Sequence, residues 1–182
     1  MGKYVYADPN YMIGLDDIDE AINNSAEVWV NHLIIVLYYY GLRISEALML
    51  KPMDFKRFVH KKSKREYLQV RSVTLKKRKD KSRTLYVPMS EPYILDLYNY
   101  ARSVSSPSVF TYSRQWCRVK IQKLLPKVSP HVFRHNRLND FAQNKESEFA
   151  LQSWAGWSDT RPAKDYVQPV KAREIADRQF PV

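Results

Sequence analysis

Cysteine is almost missing: Cys117 is the one thiol in 182 residues, so no disulfide framework can form within the chain. That usage fits a reducing, intracellular setting and excludes a small fold stapled by disulfides. Long hydrophobic runs are lacking as well. The longest, Leu33 to Tyr40, falls far short of the roughly 20 apolar residues that a spanning helix needs, and no signal-peptide pattern is visible. The expected location is the cytoplasm, or a host cell's cytoplasm for a viral or mobile-element sequence, with no membrane partner. Glycine is scarce at four residues, and there is neither an internal repeat nor a low-complexity tail.

Acidic residues are outnumbered. Asp and Glu total 19 against 30 Lys and Arg, giving a formal net charge of +11 and a pI near 9.7. Such an excess points to a polyanionic partner, nucleic acid first and an anionic membrane surface second. The length suits one domain with a full core. Residues 1–14 are polar and aromatic without a period and read as a lead-in. Residues 15–182 read as a single domain, because no boundary interrupts them.

Hydrophobic spacing predicts mainly helix. Leu15 to Ala26 places Leu15, Ile18 and Ile22 on one face, with acidic residues in the first turn, where the helix dipole favours them. Trp29 to Tyr40 reads as a helix buried on most sides, and Gly41 ends it or lets it approach a neighbour closely. Ile44, Ala47, Leu48 and Leu50 continue helical spacing, with Arg43 at the start. Glu46, three residues on, either orients that guanidinium or is solvated; orientation is the favoured role. Lys51 to Arg83 holds fourteen Lys or Arg against Asp54, Glu66 and Asp80. Within it, Glu66–Leu75 and Thr84–Val87 read as two strands of a β-hairpin, stopped by Pro88 and tipped by lysines. Most of those lysines read as a solvated basic loop. Helices are expected over Pro92–Arg102, over Ser113–Leu125 with Trp116 and Ile121 facing inward, and within Lys145–Gly156. A short terminal helix is expected over Val170–Arg178. The fold class expected is therefore mainly α with one small antiparallel sheet (α+β).

The stretch from Ser129 to Tyr166 carries the chemistry. Pro130 suits the first turn of a helix and Ser129 can cap it. His131 and Arg134, three apart, become neighbours on one helical face and offer an imidazole and a guanidinium fork to a phosphate. Trp157 brings an indole N–H that can only donate. Nine residues later Tyr166 brings a phenol able to act as a nucleophile. Taken singly, each has a bland alternative: a capping histidine, a surface ion pair, core filling, and one tyrosine among thirteen. His135, four after His131, has metal-ligand spacing, but no H-E-x-x-H glutamate accompanies it. No metal is expected.

Two motifs together decide the reading. The H-x-x-R of His131 and Arg134, followed by Gly156-Trp157 and Tyr166, and the G-L-R-I-S-E of residues 41–46 resemble the tyrosine recombinases, the phage-integrase family. The resemblance covers Leu15 to roughly Gln168, that family's catalytic domain, and lacks the N-terminal DNA-clamping domain most members carry. It implies the tyrosine recombinase catalytic-domain fold and a catalytic set of Arg43, His131, Arg134, Trp157, Tyr166 and one hairpin lysine. Asp80 occupies the place where the family's lysine commonly falls, so the register departs from the pattern. Lys79 is preferred for its strand parity with Val73 and Leu75, with Lys77 and Lys81 as alternatives. The implied function is site-specific recombination or integration of double-stranded DNA. Tyr166 attacks phosphorus to give a 3′-phosphotyrosyl intermediate, without metal or nucleotide cofactor, and the subunits associate as dimers or tetramers on DNA. A type IB topoisomerase and an inactive DNA-binding protein are the alternatives.

Overall fold

The structure, a computed structural model, describes residues 11–74, 81–144 and 146–166. The chain divides into two compact units, residues 1–137 and 138–182.

The first unit is built around one helix. Helices α1 (Leu15–Asn23), α2 (Val28–Tyr40) and the short α3 (Ile44–Ala47) open it. In α2 the run Leu33–Leu37, with Val30, Tyr39 and Tyr40, is buried. It packs against α1, α3, α4 (Ile94–Ser103) and α5 (Arg114–Leu124). Burying each such Leu or Ile contributes about 1.5–3 kcal/mol, so this helix adds substantially to the unit's stability. The α2 helix stops where Gly41 adopts a left-handed φ of 58° and its N–H donates to Leu37 O at 3.0 Å. A Cβ on Gly41 would lie 3.1 Å from Arg137 Cβ, so both expected roles of this glycine hold.

Three antiparallel strands, β1 (Phe55–Val59), β2 (Glu66–Thr74) and β3 (Lys81–Pro88), form a sheet in that order. The hairpin β2–β3 forms, but its second strand begins at Lys81 rather than Thr84 and takes in Pro88, with Thr74 opposite Lys81 and Ser72 opposite Arg83. The sheet also has β1, which the sequence did not announce. Only Phe55 of its five residues is buried, so F-K-R-F-V shows no apolar alternation. Alternate residues Leu68, Val70, Leu85 and Val87 turn inward, and the Tyr40 hydroxyl ties α2 to β2 by donating to Leu68 O at 3.0 Å. In α5, Ser113 caps the first turn by accepting from Trp116 N–H. Cys117 and Ile121 face the core, but Trp116 does not. It is exposed, with the Lys120 ammonium over its ring.

Helix α6 (Pro130–Gln143) runs across the division between the units. In the second unit its end joins α7 (Glu148–Ala155), capped by Ser147 accepting from Ala150 N–H and closed by Gly156 at a φ of 66°. Leu138, Leu151, Ala155 and Ala163 make a small core, with Phe141, Trp157 and Tyr166 packed on it. A 3-10 turn, Arg161–Asp165, leads to Tyr166. In the segment from Asp159, Ala163 is fully buried. One apolar side chain anchors a turn that shows no period.

Candidate active site

Arg43 stands immediately before α3 in extended conformation. Its backbone N–H donates to Glu46 Oε2 at 2.9 Å and its Nη1 to Glu46 Oε1 at 2.9 Å. The i,i+3 spacing of G-L-R-I-S-E produces this closure. Its side chain remains 41% exposed, so the guanidinium is held from behind and open in front. The favoured role of Glu46 is thus the one observed: the carboxylate is fully buried.

Arg134 approaches the same carboxylate. Its side chain is 4% exposed, with Nη1 3.9 Å from Glu46 Oε2 and donating to Gly41 O at 3.0 Å. One turn later, Arg137 donates twice to Tyr38 O. The two arginines of α6 therefore satisfy carbonyls at the C-terminal end of α2, where cations are favoured. Between them in sequence, Asn136 accepts from Ile13 N–H at 2.8 Å and donates to Tyr11 O, pinning the lead-in to α6.

His131 lies on the same helix with its side chain reaching solvent, and its ring meets His135 edge to face at 5.5 Å. Partial loss of hydration lowers its pKa, and His135, Arg134 and Arg43 lower it further. Both arginines are thus near enough to disfavour imidazolium, and a neutral ring can accept a proton near pH 7. Among the described residues, no three His, Cys, Asp or Glu side chains gather to hold a metal ion.

A further arginine completes the cluster. Arg83 of β3, 8% exposed, donates from Nη2 to Glu46 Oε2 at 3.0 Å. Its pairing crosses 37 residues of sequence, so no local spacing could announce it. Lys77 and Lys79 lie outside the described residues. Lys81 begins β3, two positions before Arg83.

The second unit holds the other two expected residues. Trp157 and Tyr166 stack with ring centroids 5.9 Å apart, inclined by 28°. The turn after Gly156 sets Trp157, whose N–H donates to Gln152 O, and the 3-10 turn sets Tyr166, whose N–H donates to Ala163 O. Two other tyrosines are engaged elsewhere: Tyr93 donates to Asp19 at 2.6 Å and Tyr112 stacks on Trp29.

Solved structures resemble this arrangement of helices around a three-stranded sheet. The chain superposes on the XerH site-specific recombinase bound to difH substrate with a TM-score of 0.73 at 15% identity, covering 96% of this chain and 55% of that one. It matches the catalytic domain of bacteriophage HP1 integrase with a TM-score of 0.65 at 16% identity, covering 93% and 94%. The fold is that of the tyrosine recombinase catalytic domain. XerA recombinase gives a TM-score of 0.64 at 20% identity, covering 94% and 66%. The chain spans about half the length of the XerH structures, 55% and 50%. No protein-family model and no curated protein matches the sequence. Within this recombinase fold, the sequence motifs fall on elements able to present them: Arg43 at a helix start, His131 and Arg134 on one helix, and Tyr166 at the end of a turn. None of the helices described is long and apolar enough to cross a membrane.

Proposed function

We propose that this chain is the catalytic part of a site-specific DNA recombinase, with residues 15–182 acting as one catalytic domain. The observation that carries the reading is the convergence of Arg43, Arg134 and His131, with both guanidiniums fixed from behind by Glu46 and Gly41. Fixed donors facing an anion suit a phosphodiester better than any neutral substrate.

In this reading Arg43 and Arg134 hold the non-bridging oxygens of the scissile phosphate, and the Trp157 indole N–H adds a donor. His131 takes the proton of the Tyr166 phenol as its oxygen bonds to phosphorus. The phosphorus–oxygen bond to the 5′ side breaks, and a hairpin lysine, Lys79 by preference, protonates the departing oxygen. The 3′-phosphotyrosyl bond conserves the phosphodiester's energy, so a 5′-hydroxyl can reverse the step and exchange strands. No redox partner, metal or nucleotide is required by this balance. The net charge of +11 supports duplex DNA as the partner. Subunits are proposed to be monomers or weak dimers when free and dimers or tetramers on paired DNA sites, which light scattering with and without DNA tests.

The test of the activity is incubation with a nicked suicide duplex, followed by a denaturing gel. A covalent protein–DNA band that requires Tyr166 supports the reading. Its absence with the wild-type chain, despite DNA binding, favours a binding protein without catalysis.

A further inference from the structure

We propose that Arg83 is a positioning residue that fixes Arg43 and the stem of the β2–β3 hairpin to one another through the buried carboxylate of Glu46. This rests on the recombinase reading above.

The geometry around Glu46 carries the argument. The carboxylate is fully buried, so two full negative half-charges must be met by donors within the protein. Oε1 is met by Arg43 Nη1. Oε2 is met by the Arg43 backbone N–H, by Arg83 Nη2 at 3.0 Å and, more distantly, by Arg134 Nη1 at 3.9 Å. Arg43 has 41% of its side chain in solvent, whereas Arg83 has 8%. Arg43 faces outward, where a phosphate can reach it. Arg83 is nearly covered, and its Nη2 is engaged by the carboxylate.

The elements joined are different ones. Arg43 and Glu46 belong to the G-L-R-I-S-E segment at α3, and Arg83 belongs to β3. Arg83 pairs across the hairpin with Ser72, which is fully buried, so the strand is seated at that register. Lys81 lies two residues nearer the hairpin tip on the same strand. A guanidinium anchored at Arg83 thus limits how far the hairpin stem can move relative to Arg43. Burial holds the Arg83 pKa below its ordinary value, and Glu46 opposes that shift.

The test compares Arg83→Met, Arg83→Lys, Glu46→Gln and the Arg83→Met/Glu46→Gln double variant in full-length chain. Folding is checked by circular dichroism. Single-turnover cleavage of the suicide duplex is measured beside equilibrium DNA binding over a range of salt. Arg83→Met is expected to slow cleavage roughly tenfold to a hundredfold, as for a misplaced catalytic group. DNA affinity and the slope of its salt dependence should stay unchanged, because no phosphate contact is lost. Arg83→Lys should recover part of the rate, and the double variant should be no slower than Glu46→Gln alone. Wild-type cleavage by a folded Arg83→Met, a salt slope lower by about one, or additive losses in the double variant would each overturn the proposal while leaving the recombinase reading intact. Failure of the wild-type chain itself to form the adduct would overturn both.

Discussion

Arg134 reaches across from α6 to donate to the carbonyl oxygen of Gly41, 3.0 Å away, at the point where α2 ends. The glycine is needed there twice over. Its φ of 58° is left-handed, and an added Cβ would meet Arg137 Cβ at 3.1 Å and Cγ at 3.2 Å. Gly41→Ala is therefore expected to cost about 1–3 kcal/mol of stability and to shift the carbonyl that orients Arg134. A thermal melt should show the loss, and cleavage of a suicide duplex should fall in the variant at a temperature where it remains folded. An alanine variant with wild-type melting and cleavage would remove this contact from the account.

The two guanidinium forks, Arg43 and Arg134, should not tolerate conversion to point charges. Arg43→Lys loses the guanidinium fork and its Nη1 bond to Glu46 Oε1, and Arg134→Lys loses the bond to Gly41 O together with the approach to Glu46. Each is expected to lower the single-turnover rate by about 3 kcal/mol in activation free energy, with DNA affinity changed far less. Near wild-type cleavage by either lysine variant would take that arginine out of the site.

His131 gives a pH signature. Partial desolvation, then His135, Arg134 and Arg43, hold its pKa below the ordinary imidazole value of 6.5. The ring is therefore neutral and able to accept the phenolic proton down to below pH 6.5. The acid limb of the cleavage rate should have its midpoint under that value, and His131→Asn should abolish the limb along with much of the rate. A limb centred at or above 6.5 would contradict the assignment. The same direction governs stability. The folded state binds fewer protons than the unfolded one once the pH falls under 6.5, so stability declines from there through the folded-state pKa. His32, partly buried and stacked on Tyr100, shifts the same way and adds to that decline.

Much of the candidate site's local geometry was legible because its spacings are short. G-L-R-I-S-E places Glu46 one helical turn from Arg43, and H-x-x-R places two donors on one face of α6. The apolar run of α2 announced the core for the same reason. What stayed hidden depends on pairing across the chain. Arg83 looks like one more cation in a basic stretch until β3 brings it to Glu46, 37 residues away. Strand β1 is an edge whose residues after Phe55 face solvent, so nothing in its pattern marks a strand. Trp116 is five residues from Ile121, which sets it off that face, whereas Cys117, four residues from Ile121, shares it and is buried.

The hairpin lysines separate by chemistry. Alanine at Lys77, Lys79 and Lys81 in turn should give one variant whose cleavage is restored by a 5′-thiol leaving group, because the lost function is proton donation. The other two should weaken binding and reduce its salt dependence, as lost phosphate contacts do. Lys79 is the expected acid. Rescue of the Lys81 variant instead would move the assignment two residues along, onto the start of β3.

The central claim is that Tyr166, stacked on Trp157 at 5.9 Å between ring centroids, is the nucleophile. Trapping on a nicked suicide duplex tests it most directly. The wild-type chain is predicted to yield a covalent protein–DNA band on a denaturing gel, and Tyr166→Phe to bind the same duplex with similar affinity yet yield none. A phenylalanine variant that still forms the adduct would contradict the account and move the chemistry to another tyrosine.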